Sequence, residues 1–119
     1  MLSFQQEEEM SKIAVTVDFT PHQFEFFQKE NRLTLVAIDC FSVYYKKGSK
    51  KSVGKMRERA EELRDAMSKA FENHEKRGNA IKCHVTWPKD MVDSLAQSRV
   101  IEIVSRDNNS VKVRLLWNR

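Results

Sequence analysis

Two segments of this sequence alternate apolar and polar residues and then meet a proline, and they constrain the fold more than any other feature. The first segment runs from Ile13 to Phe19 and is followed by Pro21, and the second runs from Ile81 to Trp87 and is followed by Pro88. A period of two residues is typical of a strand with one buried face. Each segment therefore predicts a strand that leads into a helix, because proline is favoured in the first helical turn.

The residues after the first strand carry a helix-start signal. Thr20 and Gln23 have the spacing of a capping box, in which a hydroxyl and an amide each satisfy a free backbone N–H group. Pro21 occupies the first helical position, where its missing N–H costs no hydrogen bond. We expect a short helix from Pro21 to about Glu30.

The stretch from Leu33 to Tyr45 contains neither glycine nor proline and is rich in β-branched and aromatic residues, which favour strands. It fits either one long strand or two strands that fold back at Asp39 and Cys40. We expect two strands, because the last third of the chain shows a strand, a helix and two further strands in the same order.

A long, charged helix is predicted from about Val53 to Arg77, followed by Gly78 and Asn79 as a C-terminal stop. Its apolar side recurs at intervals of three and four residues, which places it on one stripe of the helix. The stripe consists of Met56, Ala60, Leu63, Met67, Ala70 and His74. This stripe packs either on the sheet of its own domain or, because its period is close to 3.5 residues, on a helix of another chain.

The last third of the chain has the same order of signals as the first. After Pro88 a short helix extends through Leu95, and strands from Val100 to Ser105 and from Val111 to Trp117 flank the turn at 107–109. The match between the two thirds is one of pattern, with little identity between their side chains. We interpret it as an internal pseudo-repeat.

The resulting fold class is α+β. Two β-α-β-β units are joined by the long charged helix, and they form a mostly antiparallel sheet of six strands, or two small sheets, with the helices on one side. Residues 1–11 are expected to be a flexible acidic tail, and residues 12–119 a single α+β domain. The 119 residues suffice for one core without disulfide or metal.

Positive charge is concentrated between Tyr44 and Arg59, where seven lysines and arginines accompany a single glutamate, although the whole chain has a net charge of only +4. Within this basic segment, Gly48 and Gly54 precede a lysine, as in a phosphate-binding loop. That loop requires four residues between its glycines and a serine or threonine after the lysine. Here five residues lie between the glycines and Met56 follows the lysine, so nucleotide hydrolysis is not predicted.

We expect the basic segment to contact DNA, RNA or another polyanion. Lysines and arginines neutralise phosphates, and a tyrosine stacks on a base; only one of the two tyrosines has this role, because the other points into the core. Two cations of the last strand extend the surface. The candidate nucleic-acid-binding residues are Tyr44, Tyr45, Lys46, Lys47, Lys50, Lys51, Lys55, Arg57, Arg59, Lys112 and Arg114.

The alternative function is protein binding. A regulatory subunit or a homodimer would use the long helix, with its stripe of apolar residues, as the contact surface. The aromatic residues Phe26 and Trp117 also mark a candidate partner surface.

The sequence predicts a non-enzymatic protein with no cofactor and no metal site. His22, His74 and His84 share no metal-ligand spacing on one element. Cys40 and Cys83 each lie in an apolar stretch, and we expect two buried free thiols rather than a disulfide or a nucleophile. No residue pattern indicates paired catalytic carboxylates.

No membrane association is expected. The first residues include three consecutive glutamates where a signal peptide would need basic and then apolar residues. No apolar run approaches the roughly 18 residues of a membrane span. We expect an intracellular protein, either cytoplasmic or nuclear.

Overall fold

The computed structural model describes residues 12–45, 50–73 and 81–117, and of Lys50 it describes the backbone alone. The predicted acidic tail at 1–11 lies outside these residues. The described chain forms four strands and four helices. In chain order they are β1 (Lys12–Phe19), α1 (Pro21–Gln28), α2 (Glu30–Phe41), α3 (Lys50–Asn73), β2 (Ile81–Pro88), α4 (Lys89–Gln97), β3 (Ile101–Arg106) and β4 (Ser110–Leu115).

The four described strands form one sheet in the order β2-β1-β4-β3. β1 pairs with β2 in antiparallel orientation along the whole of both strands. β3 and β4 form an antiparallel hairpin, whose turn is closed by a hydrogen bond from the backbone N–H of Asp107 to the carbonyl of Ser110 at 2.8 Å. β1 and β4 are parallel, so the first and last strands meet in the middle of the sheet. The α+β class and the mostly antiparallel sheet are confirmed.

One face of the sheet is buried and the other is not. In β1 the side chains of Ile13, Val15, Val17 and Phe19 are buried, whereas those between them are exposed or half-buried. β2 and β4 alternate in the same way. Apolar side chains of all four helices join the same core as the buried face, and α3 packs on α2 and β2. The second face, called the open face below, has no helix over it in the described part of the chain.

The predicted capping box is present at the start of α1. The backbone N–H of Gln23 donates to Oγ1 of Thr20 at 3.2 Å, and the N–H of Thr20 donates to Oε1 of Gln23 at 2.8 Å. The helix ends at Gln28, because Lys29 has extended backbone with φ −78° and ψ 130°. A second helix begins directly afterwards, and this second helix was not predicted.

The prediction of strands between Leu33 and Tyr45 is wrong. Residues up to 41 form α2, and residues 42–45 form a turn. The buried residues of α2 have helical spacing, with intervals of three and four. They are Leu33, Val36, Ala37, Cys40 and Phe41. Packing of this stripe on α3 overrides the strand preference of the β-branched residues, because that preference depends strongly on context.

The long helix is confirmed, with bounds at Lys50 and Asn73. Most of its predicted apolar stripe is buried in the core of its own domain, and Ala70 is partly buried. The fully buried members are Met56, Ala60, Leu63 and Met67. His74, together with the stop residues at 78 and 79, lies outside the described residues. Within those residues the stripe packs against this domain rather than facing outward.

The pseudo-repeat is not confirmed. The second half of the chain has the expected β-α-β-β order in β2, α4, β3 and β4, and Pro88 immediately precedes α4 as predicted. The first half instead contains one strand and two helices before α3. The described sheet accordingly has four strands rather than six. The similarity between the halves is limited to one strand and the helix after it.

α4 ends in a left-handed cap. The N–H of Arg99 donates to the carbonyl of Ala96 at 3.2 Å, and the N–H of Val100 donates to that of Leu95 at 2.9 Å, which is the Schellman pattern. Arg99 has a φ of 59°, in the region that glycine adopts most readily. The cap directs the chain straight into β3.

Candidate polyanion-binding surfaces

Two residues of the predicted nucleic-acid-binding set belong to the core. Tyr45 and Arg59 are only 1% and 4% exposed. Nε of Arg59 donates to the hydroxyl of Tyr45 at 3.0 Å, and Nη1 pairs with Glu62 at 2.9 Å. Burial acts to lower the pKa of Arg59, but the hydrogen bond to Tyr45 and the charge of Glu62 outweigh it and raise the pKa. These side chains join the turn after α2 to α3 and present almost no surface to a ligand.

The other aromatic residue of the set is Tyr44. Its ring meets the ring of Tyr45 edge-on, with the centroids 5.0 Å apart, and it is partly buried. Tyr45 is thus the tyrosine that points into the core, and Tyr44 is the one with surface left.

The start of α3 carries the remaining cations of the basic segment. Lys51 and Arg57 are exposed. Lys55 pairs with Glu58 at 3.6 Å, and Arg57 pairs with Glu61 at 3.3 Å. Carboxylates one turn along the helix therefore offset much of its positive charge. Lys46, Lys47 and the side chain of Lys50 lie outside the described residues.

Lys112 and Arg114 do not join this surface. Both are exposed residues of β4 and alternate with the buried Val111, Val113 and Leu115, so they project from the open face of the sheet. α3 packs on the opposite side, with the core between them. The structure thus divides the predicted site between two surfaces.

The open face brings polar residues of three strands into register. Thr16 in β1 pairs with His84 of β2 on one side and with Lys112 of β4 on the other. Oγ1 of Thr16 lies 3.2 Å from Nδ1 of His84, within hydrogen-bond distance. Neighbouring strands are about 4.8 Å apart, so the row spans about 10 Å.

A second row on the open face contains ion pairs. Nζ of Lys82 lies 3.7 Å from Asp18, and Nη1 of Arg114 lies 3.5 Å from Glu102. Asp18 stands in register between Lys82 and Arg114. Exposed ion pairs of this kind add little stability, and their cations remain accessible.

The open face therefore carries more positive than negative charge. Its cations are Lys12, Lys82, Lys112 and Arg114, and its carboxylates are Asp18 and Glu102. Lys112 has no ion-pair partner among the described residues.

Sequence reasoning missed Lys12, Lys82 and His84 as members of a common surface. The signal was present in the alternation of β1 and β2, because polar residues at every second position share one face. The order of the strands was not visible in that alternation, and it decides that these residues lie beside Lys112.

The two cysteines are the candidate nucleophilic thiols of the chain. Cys40 and Cys83 are buried and free, as predicted. Burial, with a smaller contribution from Asp18, raises the pKa of Cys83 to about 12, which disfavours a nucleophilic thiolate. No group of three or more His, Cys, Asp or Glu side chains in the described chain is placed to hold a metal ion.

None of the helices in the described chain is both long enough and apolar enough to cross a lipid bilayer. The longest, α3, is strongly charged along its outer side.

Comparison with known proteins does not assign the chain to a family. No family model matches the chain, no curated protein matches it and no solved structure matches it. The proposals below therefore rest on the geometry of the chain's own residues.

Proposed function

We propose that the protein is a non-enzymatic binding protein that contacts nucleic acid, or another polyanion, through the open face of its sheet. The observation that carries the proposal is an uncovered sheet face with four cations against two carboxylates. Lys112, at the centre of this face, has no ion-pair partner among the described residues. Such a surface attracts phosphates electrostatically.

The composition of the open face favours contacts to the phosphate backbone. The described open-face residues of β1, β2 and β4 include threonine, serine, lysine and arginine, but no Phe, Tyr or Trp. The imidazole of His84 is therefore the one aromatic ring that these strands offer to a base on the open face. We expect binding with little dependence on base sequence, because phosphate contacts set position and affinity rather than specificity.

Only part of the basic segment remains a candidate binding surface. Tyr45 and Arg59 drop out, because their polar groups are buried and bonded to one another. Lys51 and Lys55, near the start of α3, remain candidate phosphate contacts on a second surface. The positive end of the helix dipole adds to their attraction for anions.

Salt-dependent binding to labelled single-stranded and double-stranded oligonucleotides tests the proposal. For a contact to phosphate, removing one cation lowers the slope of log K against log salt by about one. We expect Lys112→Ala to weaken binding and lower the slope in this way. The matched control is Lys29→Ala, which removes another exposed lysine, at the junction of α1 and α2, and should leave the slope unchanged.

The outcomes separate the two surfaces. The binding site would lie on α3 if the double variant Lys51→Ala/Lys55→Ala lost affinity. In that case Lys112→Ala/Arg114→Ala would bind as the unaltered protein does. Equal small losses in every variant, including Lys29→Ala, would indicate only a response to net charge. Absence of salt-sensitive binding by the unaltered protein would refute the proposal.

Protein binding is the second candidate function, and one observation on α2 favours it. Leu35 and Ile38 are 44% and 37% exposed and lie one turn apart on the outer side of the helix. Sizing with light scattering tests it: Leu35→Lys/Ile38→Lys should dissociate a complex or dimer that the unaltered chain forms. A monomer with no bound partner in both forms would count against it.

A further inference from the structure

β2 is an edge strand of the described sheet, and its pairing with β1 has no register shift, in contrast to the pairing of β3 with β4. It pairs with β1 over eight consecutive residue pairs without a bulge, and no described strand lies on its other side. Every second residue of an edge strand directs its N–H and C=O groups away from the sheet. An additional strand can therefore form backbone hydrogen bonds with the outer edge of β2.

A groove of about 260 Å³ runs beside this edge. Three consecutive residues of β2, from Lys82 to His84, line it. Successive side chains of a strand point to opposite faces, so a cavity that touches all three lies at the edge of the sheet and not on either face. No residue of β1 lines the groove, which agrees with this position.

α3 forms the other wall of the groove. Ala66 and Ala70 lie one turn apart on this wall, and Lys69 and Asn73 flank them. Both alanines are only partly buried. Their small side chains leave room between the helix and the strand, and an added strand would direct every second side chain into that room.

The charge of the groove selects among possible occupants. Two lysines, Lys69 and Lys82, line it, and no carboxylate does. Lys82 also lies 3.7 Å from Asp18 on the open face, but its side chain is 58% exposed and stays accessible. Lys69 has no ion-pair partner among the described residues. The partner best matched to this edge is therefore an extended chain with carboxylates at alternate positions.

We propose that the edge of β2 binds an extended acidic peptide segment of a partner protein by strand addition, with α3 as the second wall of the site. Backbone hydrogen bonds to β2 would supply affinity, and the lysines would select acidic side chains. This inference goes beyond the nucleic-acid proposal, because it concerns a protein ligand and the strand backbone rather than the open face.

The opposite edge of the sheet provides an internal comparison. β3 also has a groove beside it, lined by residues of the strand, by Ala96 of α4 and by Arg99 of the cap that follows α4. β3 has only six residues, its register with β4 shifts between Ile103 and Ser105, and Glu102 lines its groove. Bulges and inward charges protect an edge against pairing, so β3 is the poorer template.

Backbone amide NMR on the full chain tests the proposal. The probe is an acetylated eight-residue peptide that alternates glutamate with valine and threonine, added up to about 1 mM, a concentration that reveals weak binding. We expect saturable shifts and slowed amide exchange in β2, together with shifts at Lys69 and Ala70. A peptide with lysine in place of glutamate should bind at least about tenfold more weakly, the loss of about 1.4 kcal/mol.

Matched variants localise the site. Ala70→Leu fills the groove beside β2 and should weaken binding at least about tenfold, or by about 1.4 kcal/mol. Ala96→Leu makes the same change beside β3 and should leave binding unaltered. Lys69→Glu changes the exposed surface of α3 and provides a second test in case Ala70→Leu lowers the melting temperature. This variant should bind the lysine peptide more tightly than the glutamate peptide.

Three results would overturn the proposal. The first is the absence of saturable binding by the acidic peptide, and the second is a set of shifts centred on β3 or on the open face. The third is equal binding by a peptide methylated at every backbone nitrogen, because such a peptide has no backbone N–H group on either edge to donate to β2. In that third case, displacement of the peptide by an oligonucleotide would show that the groove is part of the nucleic-acid-binding surface. The nucleic-acid proposal itself is tested separately, by the salt dependence of Lys112→Ala.

Discussion

Gln23 connects three parts of the molecule through one side chain. Its Oε1 accepts from the N–H of Thr20, and its Nε2 donates to the carbonyls of Leu115 and Trp117 at 2.9 and 2.8 Å. The same side chain therefore caps α1 and holds the end of β4. The ring of Trp117 strengthens this junction by packing edge-on against Phe27, with centroids 5.2 Å apart.

At Gln23 we expect Gln23→Glu to lower the free energy of unfolding by roughly 2–4 kcal/mol. The change keeps the acceptor for Thr20 but removes both donated hydrogen bonds and places a carboxylate against two carbonyl oxygens. Urea denaturation measures the loss. Gln28→Glu, an exposed substitution in the same helix, is the control and should change stability by less than about 0.5 kcal/mol; equal effects would contradict the role of Gln23.

Cys83 predicts a pH dependence of stability. Its pKa rises from 9.0 to about 12 in the folded protein, chiefly through burial. The unfolded chain thus loses the thiol proton at lower pH than the folded chain does. The contribution is fully present below about pH 9 and is lost as the pH rises towards 12, at up to about 1.4 kcal/mol per pH unit.

The variant Cys83→Ala isolates this effect. Denaturation midpoints measured between pH 8 and pH 11 should fall more steeply for the unaltered protein than for the variant, because tyrosines and lysines titrate in both. Parallel curves would show that the thiol ionises equally in the folded and unfolded states. Cys40 is retained in both proteins, so its ionisation cancels in the comparison.

At the scale of elements, α2 shows how packing chooses between two structures for one segment. Its N-cap residue, Lys29, makes no side-chain cap, and no basic residue lies in its last turn. Local signals therefore support the helix weakly, and its stability derives mainly from its buried stripe. The stripe packs on α3, which crosses the same core.

A pair of alanine substitutions distinguishes helix from strand in this segment. Leu33 and Leu35 would share a face in a strand, but in α2 the first is buried and the second is 44% exposed. We expect Leu33→Ala to cost roughly 2–4 kcal/mol of unfolding free energy and Leu35→Ala less than about 0.5 kcal/mol. Similar losses at both positions, measured by chemical denaturation, would contradict the helix.

In the whole molecule, the parallel pairing of β1 with β4 makes the fold depend on a strand that is distant from β1 in the chain. β4 lies inside the sheet between β1 and β3, and its side chains Val111, Val113 and Leu115 are buried. The sheet cannot be completed without β4, whose Val111 pairs with Val15 of β1. Contacts between such distant residues make folding slow relative to a helical bundle.

We expect a chain truncated after Asp107 to remain unfolded. It loses a central strand and three buried side chains, each worth roughly 2–5 kcal/mol, against a total stability of about 5–15 kcal/mol. Far-ultraviolet circular dichroism and amide dispersion measure the outcome. Lys112→Ala, on the open face of β4, should fold normally. A folded truncated chain would show that the helices and the strands β1, β2 and β3 suffice.

The proposed nucleic-acid-binding surface exists only in the assembled sheet, because it combines residues of separate strands. Lys112 and Arg114 were identified from the sequence as outward residues of the last strand, and that placement on β4 agrees with the structure. Their neighbours Lys82 and His84 come from a strand that is distant in the chain. The sequence contains no signal for that adjacency.

Features with local signals were predictable from the sequence alone. The alternation of β1 and β2, the capping box at Thr20, the stripe of α3 and the turn at 107–109 each depend on residues within one or two turns of the chain. Three features became visible only in the tertiary structure: the helical state of α2, the pairing of β1 with β4, and the buried hydrogen bond between Arg59 and Tyr45. The physical reason is that burial, strand order and desolvation depend on which surface covers a segment, and that surface is built from residues far away in the sequence.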